Sequence, residues 1–68
     1  MSKNVKEIVQ ILINYNNKEE LSWLQVLKNI LKEKELEYND DILKKVTREL
    51  TKEGYDIIPN PFKLEKYK

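Results

Sequence analysis

The residues of this chain best suited to chemistry are cations. Lys44, Lys45, Arg48 and Lys52 recur at helical spacing and are flanked by Thr47 and Thr51. At roughly 100° per residue they gather on one side of a helix, while Ile42, Leu43, Val46 and Leu50 gather on the other. Such a face suits contact with a polyanion. Lys and Thr can hold phosphate oxygens, and Arg48 is the one side chain in the chain able to bind two acceptors of a guanine edge at once. The competing expectation is a solvated face, because Glu49 stands at helical spacing from Lys45 and Lys52 and can pair with either.

Other chemistries lack their residues. There is no His and no Cys, the only serines are Ser2 and Ser22 at expected helix starts, and a lone Gly54 cannot build a phosphate-cradling loop. Asp40 with Asp41 reads as helix capping, not as an acid-base pair. No catalytic residue, metal ligand, cofactor or small-molecule substrate is expected, since 39–41 also lacks the spacing of a calcium loop. The lack of cysteine fits a reducing compartment, so a cytoplasmic protein is expected. The longest strictly apolar run, Ile11 to Ile13, is far too short to span a membrane, and the first helix has only Lys3 and Lys6 to hold it to a lipid surface.

With 68 residues the chain amounts to a single domain, 1–68. Lys and Arg number 13 against 12 Asp and Glu, a net charge of +1, which is well short of the basic excess usual in nucleic-acid binders. The two halves are each nearly balanced. Any positive surface must therefore come from segregation between faces.

The elements that position the cations can be read from their ends. Asn39, Asp40 and Asp41 mark a helix start, with Tyr38 and Leu43 at the spacing of a hydrophobic staple, and Gly54 marks its stop. This predicts a helix over 40–53. Upstream, Asn4 with Glu7 suggests a capping box for a helix over 5–15, carried by Val5, Ile8, Val9 and Leu12. Ile11, Ile13 and Tyr15 widen its apolar arc to roughly 200°, which implies burial on several sides or a dimer interface through those three residues. Asn14, Asn16 and Asn17 predict a loop. Ser22 with Gln25, and Leu21 with Val26, predict a second helix starting at Trp23, with Leu24, Leu27 and Leu31 beside Trp23, Val26 and Ile30 on its buried side. Trp23 reads as core. KEKELEYN, 32–39, reads as a fraying helix end and a solvated connector. Two short strands are expected at 55–58 and 62–67, with Phe62 and Leu64 inward and an open, stiff connection at Pro59-Asn60-Pro61.

The order helix, helix, connector, helix, Gly-aromatic, strand, loop, strand resembles the winged helix-turn-helix family across about 5–67. VTRELTKEGYDI, Val46 to Ile57, carries the closest local likeness. The implied fold class is α+β and mostly helical: three helices followed by a short β-hairpin wing. The resemblance implies a small protein that binds double-stranded DNA, a transcriptional regulator, with the helix 40–53 in the major groove and the hairpin 55–67 as its wing. Carried over by position, Lys44, Lys45, Thr47, Arg48, Thr51 and Lys52 would meet DNA through the helix, and Asn60, Lys63 and Lys66 through the wing. The chain differs from the family in its longer connector before the third helix, in the acids at Asp40 and Asp41, and in having only 20–22 where a first strand belongs. A two-stranded sheet is therefore expected. The alternative is a protein-binding module of the same fold, an adaptor or inhibitor of a larger complex, in keeping with the near-neutral charge and the wide apolar arc.

Overall fold

The computed structural model describes residues 3–67, and for Lys3 the backbone alone; Ser2 and the Lys3 side chain lie outside the described residues. Among them are three helices, α1 (Lys3–Ile13), α2 (Trp23–Glu33) and α3 (Asp40–Lys52), followed by two antiparallel strands, β1 (Tyr55–Pro59) and β2 (Phe62–Lys66). The α+β, mostly helical layout read from the sequence is the observed one.

Helix ends are set by side chains. Ser22 Oγ accepts from Gln25 N at 3.3 Å and opens α2. Only half of the expected capping box forms, because the Gln25 amide donates instead to Asn29 Oδ1 at 2.9 Å. Asn39 Oδ1 accepts from Ile42 N at 2.8 Å, with Asp40 and Asp41 in the first turn of α3, where negative charge favours the helix dipole. At the other end Gly54 adopts φ 91° and its N–H reaches Thr51 O at 3.0 Å, the left-handed exit that a glycine allows.

Four expectations are corrected. Leu24, expected on the buried side of α2, is 42% exposed, since the core meets the side of the helix that carries Trp23, Val26, Leu27, Ile30 and Leu31. Asn4 lies inside α1, which spans Lys3–Ile13 rather than 5–15, so Asn4 is not its cap. The connector after α2 is not a fraying end: Glu35 N bonds to Lys32 O at 3.1 Å and Leu36 N to Leu31 O at 2.9 Å, with Glu35 at φ 59°. These are the paired bonds of a Schellman exit, built on glutamate in place of glycine. Leu36 and Tyr38 then turn inward and pack against the core, while Glu35 and Glu37 stay exposed. Lastly, the hairpin closes tightly. Pro59 pairs with Phe62, so Asn60 and Pro61 alone make the turn, and the bond between them is cis.

One apolar core joins all the elements. Val5, Ile8, Val9 and Leu12 come from α1, Trp23, Val26, Leu27, Ile30 and Leu31 from α2, Val46 and Leu50 from α3, and Phe62 from β2. No polar or charged side chain is buried among the described residues. Phe62 pins the hairpin to the helices, stacked on Trp23 at 5.3 Å between ring centroids and edge-on to Tyr15 at 6.3 Å. Trp23 is thus core, as its place in the apolar pattern predicts.

Candidate nucleic-acid interface

The two sides of α3 separate as the sequence pattern requires. Val46 and Leu50 are fully buried, and Ile42 and Leu43 pack partly buried against the core. Lys44, Lys45, Arg48 and Lys52 are all exposed. Burial of the apolar side fixes the rotation of the helix, and that rotation presents the cations to solvent.

The cations are not equally available. Lys45 Nζ pairs with Asp41 Oδ2 at 3.0 Å, one turn back, and Lys52 Nζ lies 3.7 Å from Glu49 Oε1. Lys44 and Arg48 have no ion pair among the described residues. Of the two partners expected for Glu49, Lys45 and Lys52, it lies toward Lys52, with its side chain only 14% exposed and held near the apolar edge of the helix. The Lys45–Asp41 pair is solvent-exposed and holds little energy, about 0.3–0.5 kcal/mol, so an incoming anion can displace it at small cost.

The threonines serve the fold as well as the face. Thr51 Oγ1 donates to Thr47 O at 3.0 Å, and Thr47 is half-buried. The Thr51 carbonyl in turn accepts from Tyr67 Oη at 3.0 Å, while Tyr67 N donates to Gly54 O at 2.9 Å. Tyr67 therefore clips the end of the hairpin to the last turn of α3, a role with no signal in the sequence because it depends on where the strand finishes.

The hairpin residues divide. Lys66 faces Tyr55 in the register and sits at the α3 end, next to the Tyr67 clip. Asn60 and Lys63 are exposed at the opposite end, Lys63 roughly 10 Å farther along the strand. That end folds against the loop between α1 and α2, since Phe62 N donates to Leu21 O at 2.8 Å and Asn17 Nδ2 donates to Phe62 O at 3.1 Å. Lys66 thus lies next to the strand end that is clipped to the last turn of α3, and Asn60 and Lys63 lie at the other end of the hairpin.

Asn17 is a structural residue that the sequence reading took only for part of a loop. Its amide spans Leu21 N, Leu21 O and Phe62 O. Of the three residues expected to widen the apolar arc of α1, Ile13 and Tyr15 are half-buried against the core of their own chain, and Ile11 is 39% exposed. Most of that arc is accounted for by intramolecular packing. Among the described residues no helix is long and apolar enough to cross a membrane. Compared with known protein families, characterised proteins and solved structures, the chain matches none.

Proposed function

We propose that this chain is a small DNA-binding domain of winged helix-turn-helix type, a transcriptional regulator that lays the outer side of α3 in a major groove. One observation supports this reading above the others: Lys44 and Arg48 stand exposed, with no ion pair among the described residues, on the side of α3 opposite its buried residues. Arg48 supplies a bidentate donor for a guanine edge, while Lys44, Lys45 and Lys52 bind phosphates around it, joined by Thr51 once its hydroxyl turns from the Thr47 carbonyl. Lys66, held at the same end by Tyr67, adds a backbone contact from the hairpin. Asn60 and Lys63 contribute only where DNA bends toward them.

A specific observation favours a second reading, a protein-binding module acting as adaptor or inhibitor. Asp41 and Glu49 neutralise Lys45 and Lys52, and the net charge is only +1. An NMR titration of the labelled protein with a mixed-sequence duplex tests the choice. DNA binding predicts amide shifts concentrated at 44–52 and at Lys66. Shifts absent at low salt would reject it and favour the protein partner.

A further inference from the structure

The hairpin leaves an edge open. Tyr67 N bonds to Gly54 O, so with the observed register the pairs 56/65 and 58/63 exchange ladder hydrogen bonds, whereas 55/66, 57/64 and 59/62 do not. The peptide groups of Phe62, Leu64 and Lys66 therefore point away from β1. At Phe62 they are occupied: its N–H by Leu21 O and its carbonyl by the Asn17 amide, which itself closes on Leu21. Leu21 and the Asn17 side chain together imitate one rung of a third strand. At Leu64 and Lys66 the outward N–H and C=O groups have no partner among the described residues.

Next to this edge lies a cleft of about 360 Å³. Leu12, Ile13, Tyr15 and Leu64 form its apolar walls, and Glu20 and Lys63 also line it. Lys63 and Lys66 make no ion pair among the described residues. An unpaired edge and an apolar hole beside it are what strand addition uses, main-chain bonds for affinity and a pocket for an alternate side chain, while Lys63 and Lys66 guard the edge against casual pairing and select an acidic segment.

We propose that the β2 edge from Leu64 to Lys66 receives an extended segment of a partner protein as a third strand, with an aliphatic side chain in the cleft and an acidic residue toward Lys63 or Lys66. A second copy of this chain fits less well. Antiparallel pairing of β2 with β2 centred on Leu64 would set Lys66 of one copy opposite Phe62 of the other, where Leu21 and Asn17 already sit, and the register centred on Glu65 that avoids this would set the two Glu65 carboxylates opposite each other. The proposal uses no residue of α3; it shares Lys66 with the proposed DNA contacts, and shifts at Leu64, Ile13 and Tyr15, which the DNA-binding reading does not involve, tell the two apart.

The test is an NMR titration of the full chain with a synthetic peptide of alternating Ile and Thr carrying Glu at each end, beside the same peptide N-methylated at its centre. The expected result is amide shifts at Leu64 and Lys66 and side-chain shifts at Ile13 and Tyr15 that methylation abolishes. Lys66→Pro should weaken binding about tenfold, as expected for losing roughly one net hydrogen bond, and keep its thermal midpoint within a few degrees, because that N–H lies outside the ladder. The methylated peptide keeps the test decisive even where the proline variant unfolds. Equal binding of the two peptides, or no shifts at millimolar peptide, would overturn the proposal. So would shifts at Leu64 that grow with protein concentration alone, which would assign the edge to a second copy.

Discussion

The two sides of α3 make opposite demands on the same thirteen-residue helix. The inner side, Val46 and Leu50 with Ile42 and Leu43, is fixed by packing, and each atom removed there leaves a void. The outer side, Lys44, Lys45, Arg48 and Lys52, touches little of its own chain and can change without disturbing the fold. Stability and partner choice are thus carried by different residues of one element, and substitutions on the two sides should fail in different ways.

Leu50→Ala should give the largest effect, a loss of about 2–5 kcal/mol from lost burial and an unfilled cavity. In a domain of this size that is comparable with the whole stability, and circular dichroism should show a largely unfolded chain at 37 °C. Retention of a wild-type melting curve would mean that α3 does not seat Leu50 in the core. On the outer side, the Lys44, Arg48 and Lys52 triple Ala variant should melt within a few degrees of wild type. A collapse of its melting point would contradict the separation of the two sides.

Smaller effects compare the exits of the helices. Gly54→Ala places a Cβ at φ 91° in a buried position and should cost about 1 kcal/mol or more in chemical denaturation. Glu35→Gly should do the reverse, stabilising by up to about 1 kcal/mol, because Glu35 holds a left-handed conformation at φ 59° in an exposed exit. If both substitutions destabilised equally, the two exits would not share a mechanism. Smallest in stability is Asp41→Asn. It frees Lys45 from a screened ion pair and should move the melting point by less than about 1 kcal/mol equivalent, while raising duplex affinity a few-fold.

How much of this was legible in the sequence follows from where each signal resides. Both ends of α3 were readable because Asn39 and Gly54 are the residue types that their local geometry calls for. The exit from α2 was hidden, since Glu35 does there what glycine usually does and leaves no mark. The connection at Asn60-Pro61 reads as open on the preference of a residue before proline for extended backbone, yet Pro59 pairs with Phe62 and leaves a two-residue turn. Periodicity was enough to separate the cationic stripe from the core. It could not place the Asn60 and Lys63 end of the hairpin against the loop between α1 and α2, because that packing depends on Phe62 stacking on Trp23 and on Asn17 reaching a residue 45 positions away. Local signals resolved the helix, and long-range packing decided what surrounds it.

The most direct measurement is fluorescence anisotropy of a labelled mixed-sequence duplex against the wild type and the Lys44, Arg48 and Lys52 triple Ala variant, across a salt series. The wild type should bind with log affinity falling against log salt at a slope of about −4 to −5, as for roughly four to six phosphate contacts, and the variant should lose a large part of both affinity and slope. No binding by the wild type at low salt, or identical slopes for the two proteins, would contradict the assignment of the outer side of α3 to DNA.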